Sequence, residues 1–204
     1  ERTLCEELNI SRTPLREAIK MLAAEGLVEL LPNRGSVAVQ LSEADVRHTF
    51  EVMAGLEGLS GELAAQRVTE AELNEIKALH YELLAAYTRR DLSAYYQINA
   101  AIHRSFNAAA KNPVLTATYN QVNARLQALR FRSNQDGDKW QRAVDEHIAM
   151  VQALEARDGA ALRQVLMQHL DNKRSVVIEQ LRSASIAAIT DNNASPSLTE
   201  GNAP

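Results

Sequence analysis

The sequence predicts a mostly α-helical protein in two units, an N-terminal winged helix-turn-helix and a C-terminal antiparallel bundle of six helices. Three observations predict it. Residues 9–35, "NISRTPLREAIKMLAAEGLVELLPNRG", place a capped amphipathic segment ahead of two short β-prone runs joined by a turn. From Ser42 onward apolar residues recur at helical spacing with no alternating strand pattern. Helix start and stop signals are frequent there, and the connections between them are short.

Residues 1–8, "ERTLCEEL", read as a short amphipathic helix with Leu4 and Leu8 turned inward, and residues 9–11 as a tight turn. Ser11 or Thr13 supplies an N-cap oxygen to the next helix, and Pro14 fits a first turn that does not need its missing N–H. Leu15, Ala18, Ile19, Leu22 and Ala23 give that helix one apolar face, and Gly26 stands where a C′ glycine ends a helix. "LVELL" and "SVAVQ" follow as two strands. They are joined by Pro32-Asn33-Arg34-Gly35, with glycine where positive φ is needed and Arg34 at the hairpin tip. Arg12, Arg16 and Lys20 lie four apart on the other face of the helix, within reach of phosphates and base edges in a major groove. Three basic residues alone would suit a solvated helix face. The order of helix, turn, capped helix, glycine stop and hairpin favours a DNA-recognition helix with its wing.

In the second unit, Ser42 opens a helix over about residues 43–67. Thr69-Glu70-Ala71-Glu72 is a capping box, followed by Leu73, Ile76, Leu79, Leu83, Leu84 and Tyr87 on one face. Asp91 caps a helix carrying Leu92, Tyr95, Ile102 and Phe106. Asn112-Pro113 ends it and starts another, reaching about residue 133, after which "NQDGD" is a polar loop. A helix over about 139–157 stops at Asp158-Gly159, and a last one runs to about residue 182. Residues 184–204 lose periodicity and fill with Asn, Ser, Pro and Gly, the composition of a disordered tail. The expected domains are therefore 1–41, 42–183 and the tail 184–204.

Composition narrows the function classes. Hydrophobic residues make up 46% and charged residues 24% of 204, ordinary for a globular protein. The formal charge of −4 argues against a surface coated in basic groups. Residues 1–41 hold five basic and six acidic side chains, so DNA affinity must come from placement and from pairing two copies. The single cysteine, Cys5, permits no intrachain disulfide and fits a reducing cytosol. No apolar run approaches the roughly 18–20 residues that span a bilayer, and no signal peptide is visible. These features predict a cytoplasmic protein without membrane contact.

Three of the five histidines stand out, His103, His147 and His169, one on each of three helices beside Ile102, Ile148 and Leu170. Asn99 precedes His103 by one helical turn and shares its face. Any one of them alone suits a hydrogen-bonded core histidine. Three from separate helices suggest convergence on a metal in the bundle interior, which spacing alone does not prove.

The N-terminal stretch resembles the DNA-binding domain of GntR-family bacterial transcription regulators, through its "SRTPLREA" run followed by "GLV" and "RG". By that resemblance Arg2, Ser11, Arg12, Thr13 and Arg16 fall at DNA-contacting positions and Gly35 at the wing. The family's domain begins with a further helix upstream of "ERTLCEEL", so residue 1 is expected to be a truncation point. Residues 43–182 resemble the FCD ligand-binding domain of the FadR-like branch, through "GLEGLSGELAAQR", "NAAIHRSFNAAAKNPVL", "DEHIAMVQALEARDGAAL" and "MQHL". That resemblance implies a divalent metal, Zn, Ni or Mn, on Asn99, His103, His147 and His169. The amide in place of a carboxylate leaves the ion its full charge, favouring a small anionic effector, with a carboxylate as the natural candidate. Met53 stands where the family often places an Arg four residues before Glu57. Carboxylate contact is thereby expected to shift to the metal and to Arg130 or Arg132, with Met53 making the pocket more apolar.

The expected function is a homodimeric transcription regulator, most simply a repressor, that binds double-stranded operator DNA and responds to a metal-bound organic acid. Two alternatives belong to other classes. One is a metal-dependent hydrolase with its site in the bundle; Glu-x-x-His pairs, His-Asp dipeptides and Gly-rich phosphate loops are all missing from the sequence. The other is a regulator that senses the metal itself.

Overall fold

The computed structural model describes residues 1–24, 26–32, 34–39, 42–130 and 137–193, with side chains described at 1–126 and 140–183 within those spans. Two short helices, α1 (Arg2–Leu8) and α2 (Arg12–Ala24), precede a hairpin of β1 (Val28–Leu31) and β2 (Gly35–Ala38). Six helices follow: α3 (Glu43–Arg67), α4 (Glu70–Thr88), α5 (Leu92–Ala109), α6 (Pro113–Arg130), α7 (Gly137–Glu155) and α8 (Gly159–Asn193).

Local chemistry sets these boundaries. Asn9 takes a left-handed conformation, φ 51°, and turns the chain between α1 and α2. Gly26, at φ 72°, ends α2: its N–H bonds the Ala23 carbonyl and the Leu27 N–H reaches back to Leu22, the paired closure that a left-handed glycine permits. The hairpin pairs Val28 with Ala38 and Leu31 with Gly35. Ser42 and Thr69 form capping boxes with Asp45 and Glu72, and Asp91 accepts from the Ala94 N–H. Asp158 does the same for Ala161 at the start of α8.

Two apolar clusters fill the bundle. One joins Leu73, Ile76 and Leu83 of α4 to Ile102 and Phe106 of α5, Met150 and Leu154 of α7, and Leu162 and Leu166 of α8. The other joins Val46, Phe50 and Met53 of α3 to Tyr119 and Leu126 of α6, and Leu170 and Val177 of α8. Helices α3 and α8 share the longest interface, and α5 and α7 close the bundle against them.

Three expectations need correction. Leu4 and Leu8 are 43% and 58% exposed, because α1 packs chiefly and sparsely against α2. Leu22 is likewise exposed, leaving Leu15 and Ile19 as the buried residues of α2. Helix α8 continues to Asn193, about ten residues past the expected end near 182, so the start of the segment read as a disordered tail is helical. Residues 183–195 contain no glycine or proline, and a helix already nucleated extends through such a run at little cost. Residues 194–204 of the expected tail, and most of the expected polar loop, lie outside the described residues.

Gly61 marks the closest approach of α3 to α8: a Cβ there would overlap Leu166 Cδ1 and stand 2.9 Å from Leu162 Cγ. Gly55, six residues earlier and on a different face of α3, meets open space. We expect Gly61→Ala to destabilise by about 1–3 kcal/mol through overpacking. Gly55→Ala should instead stabilise by roughly 0.5–1 kcal/mol through helix propensity. Urea unfolding of the two variants checks the pair; equal effects would contradict the helix contact.

Candidate functional site

The sequence-predicted histidines converge. His103 on α5, His147 on α7 and His169 on α8 are 3%, 0% and 1% exposed. Their ring centroids are 5.1–5.2 Å apart, and one ring nitrogen from each lies within 4.8 Å of the others. Asn99, one turn before His103, is also buried, and its Oδ1 has no hydrogen-bond partner. The histidines sit where the two apolar clusters meet: Ile102 and Leu166 belong to one, Leu170 and Met53 to the other.

Two carboxylates back these rings from the outside. Glu57 Oε2 on α3 approaches His103 Nδ1 at 2.8 Å, although the pair lacks the alignment of a good hydrogen bond. A turn further on, Asn107 donates to Ser60 Oγ at 2.9 Å, a second buried link between α3 and α5. Glu146 Oε2 lies 2.6 Å from His169 Nδ1, and the other oxygen of Glu146 accepts from Asn172. A carboxylate thus stands beside Nδ1 of two of the rings, the placement from which carboxylates orient histidine ligands of a metal. Burial raises the Glu146 carboxyl above its usual range, opposed by the Asn172 hydrogen bond and by Lys173 and Arg142.

His147 differs, since neither of its ring nitrogens has a hydrogen-bond partner. Burial, reinforced by His169 and His103, holds it well below the ordinary histidine range, so the ring is neutral and offers a lone pair. Three imidazoles and an amide oxygen, gathered from three helices, are a donor set suited to a borderline divalent ion such as zinc or nickel.

Met53 is fully buried in the apolar cluster beside Leu170. The side chain of Arg130 and the whole of Arg132 lie outside the described residues. Sequence reading passed over Glu146, which is adjacent to His147 but faces His169 because α7 and α8 are neighbours, a pairing no local pattern announces. It used Glu57 only as a spacing mark, and missed three further buried polar groups: His80 on α4, Tyr95 on α5 and Trp140 on α7. His80 Nδ1, Tyr95 Oη and Trp140 Nε1 have no hydrogen-bond partner.

In the N-terminal unit, Arg2, Ser11, Arg12, Thr13, Arg16, Arg34 and Gly35 are all exposed. Arg2 pairs with Glu6 at 3.1 Å, Arg16 with Glu1 at 3.0 Å and Lys20 with Glu17 at 2.8 Å. These surface pairs are weak and exchange readily for phosphate. Gly35 opens β2 at φ 86°, with Arg34 immediately before it in the hairpin turn.

The fold joins a winged helix-turn-helix head to an all-helical body, the two-part architecture of a transcription regulator. Residues 1–37 match the bacterial regulatory proteins of the gntR family, and residues 48–172 match the FCD domain. The chain belongs to this family of regulators, which are not enzymes. It is 26% identical to the HTH-type transcriptional repressor RspR of Escherichia coli, over 89% of this chain and 79% of the relative. It is 27% identical to the Nta operon transcriptional regulator of Aminobacter aminovorans, over 95% and 90% of the two chains. With the gluconate operon transcriptional repressor of Bacillus subtilis it shares 22% identity, over 87% and 74%. Among solved structures the fold resembles McbR/YncC of Escherichia coli, with a TM-score of 0.78 at 19% identity over 88% and 86% of the chains. It also resembles Lar of Listeria monocytogenes, with a TM-score of 0.66 at 18% identity over 88% and 85%. Among the described residues no helix is long and apolar enough to cross a membrane.

The unpartnered nitrogens of His147 give a direct test of this geometry. With a chelator present, His147→Leu should stabilise the protein by about 1–3 kcal/mol, because it removes buried polar atoms that have lost water and gained nothing. Urea unfolding checks it; a loss of stability would show that the ring is satisfied in the fold.

Proposed function

We propose that this regulator represses an operon by binding operator DNA through α2 and the wing, and that a small carboxylate releases it by binding a divalent ion in the bundle. The convergence of His103, His147 and His169 carries the reading. These residues with Asn99 would hold the ion, zinc, nickel or manganese, and the ion would supply positive charge at its remaining positions for an anionic effector. Glu57 and Glu146 orient two of the rings and offset part of that charge. Met53 narrows the apolar side of the pocket. Arg130 and Arg132 are the candidates for a second contact with the carboxylate.

On DNA, Arg12 and Arg16 enter the major groove with Ser11 and Thr13 at the start of the recognition helix, while Arg2 and Arg34 reach phosphates or the adjoining groove. A homodimer sets two such helices about 34 Å apart on a pseudo-palindromic site. Val52 and Leu59, two turns apart on α3 and 53% and 37% exposed, supply an apolar stripe for pairing. An effector changes DNA affinity only through differential affinity for two poses of the heads. Acting on DNA, the protein works in the cytoplasm.

Gel-shift titration at fixed salt tests the reading on operator fragments taken from the DNA around the gene. Arg16→Ala should weaken binding by about tenfold or more, as expected for loss of a base-reading arginine. In the wild type a carboxylate from an organic-acid panel should release the DNA, and a chelator should abolish that release. Unchanged affinity of Arg16→Ala contradicts the recognition helix, and release that survives chelation contradicts the metal route.

A further inference from the structure

The head and the body touch at the end of α2. Gly26 closes that helix at φ 72°, a conformation that asks for glycine by itself. Its missing side chain has a second consequence. A Cβ there would stand 2.9 Å from Nη2, 3.1 Å from Nε and 3.2 Å from Cζ of Arg125, so a guanidinium from α6 lies against the end of α2.

A cation suits that place. The last carbonyls of a helix form its negative pole, which a basic side chain in the last turn offsets. Helix α2 has no basic residue in its last turn. Arg125 brings the charge from the body instead. Its footing on α6 is firm, since the next residue, Leu126, is 0% exposed and shares a cluster with Phe50 and Met53 of α3 and Leu170 of α8.

The head is otherwise tied to the body by the chain itself. Among the described residues its helices and strands pack mainly on one another. The Val39 N–H bonds the Leu27 carbonyl, and the Ser42 capping box opens α3. Residues 40 and 41 stand between them. One covalent tie lets a unit pivot, and a second tie placed elsewhere stops the pivot. Pivoting matters for α2 because its 13 residues span about 20 Å, with Arg12 and Arg16 toward one end and Gly26 just past the other. A tilt of about 10° at the Gly26 end carries the far end through roughly 3–4 Å, as long as a hydrogen bond itself.

We propose that Arg125 is a positioning residue for DNA reading: it docks the negative end of α2 on α6 and so holds Arg12 and Arg16 in the pose that meets the major groove. The inference rests on the reading of α2 as the recognition helix. Two heads held at a fixed angle lose less freedom on binding than two that pivot, so this contact raises affinity without touching DNA. Its effect is bounded by its own strength, since it acts by favouring one pose over the others.

Gel-shift titration of the full chain, on a double-stranded fragment from the DNA upstream of its gene, tests the proposal over a range of salt. Arg125→Ala should weaken binding by about three- to thirtyfold, the range for losing one helix-terminus interaction on each of two heads. Arg125→Lys keeps the charge and should fall between that variant and the wild type. The slope of log affinity against log salt should stay the same, because Arg125 meets a helix end. A slope smaller by about one would make Arg125 a phosphate contact and overturn the positioning role. A second measurement needs no DNA. Cys5, the single cysteine, lies in the head, and Val114 on α6 is 76% exposed. Nitroxides on Cys5 and on Val114→Cys, in chains diluted with unlabelled protein, should give a narrow distance distribution that Arg125→Ala broadens. Equal widths overturn the docking contact. Affinity that is unchanged or raised in Arg125→Ala, while Arg16→Ala weakens binding, overturns the proposal and leaves the recognition helix standing. Arg16→Ala without effect removes both.

Discussion

Three imidazole rings are packed into the buried interior of a helical bundle, and the arrangement of that interior follows from them. Each comes from a different helix, so α5, α7 and α8 must meet at one height for the rings to lie about 5 Å apart. Polar groups at such a place are unfavourable unless they are paired. Glu57 and Glu146 pair two of the rings from the outside, and α3 is thereby tied to α5, and α7 to α8, at the same level. The third ring, His147, is left without a hydrogen bond. A net stability of about 5–15 kcal/mol for a typical domain leaves little room for several such groups, which is why a bound ion is the economical reading of the cluster.

The two apolar clusters make sense as supports for this polar junction. The cluster of α4, α5, α7 and α8 fixes the rings of His103 and His147, while that of α3, α6 and α8 fixes Glu57 behind them. In the proposed mechanism an effector completing the metal's coordination would draw on helices from both clusters at once. The DNA-reading head joins the bundle at the start of α3, the helix that carries Glu57. A small change at the histidines therefore has a short covalent route to the head, and differential affinity between two poses is the physical requirement for using it.

Much of the architecture was legible because its signals are local. Ser42, Thr69, Asp91 and Asn112-Pro113 announce helix starts through the hydrogen bonds their own side chains or rings permit. Gly26 announces a stop through its backbone freedom. The three histidines were legible as a set only through number and neighbours, since no local rule says that separate helices bring their faces together. Leu4 and Leu8 misled because an apolar stripe shows that a helix has a face to cover and says nothing of what covers it. The extent of α8 misled because the loss of amphipathic period was read as loss of helix, whereas a run without glycine or proline can stay helical when that period is lost. Glu146, Tyr95 and Trp140 were illegible for a different reason. Their importance lies in which partner each does or does not meet across the bundle, and that is a property of helix neighbours.

The central claim is that the histidine cluster is a metal site. Diffraction at the nickel absorption edge, from crystals grown with nickel, addresses it most directly. The account predicts one dominant anomalous peak within about 2.2 Å of Nε2 of His103 and His169, a ring nitrogen of His147 and Oδ1 of Asn99. An empty cluster in crystals that hold nickel elsewhere would contradict it.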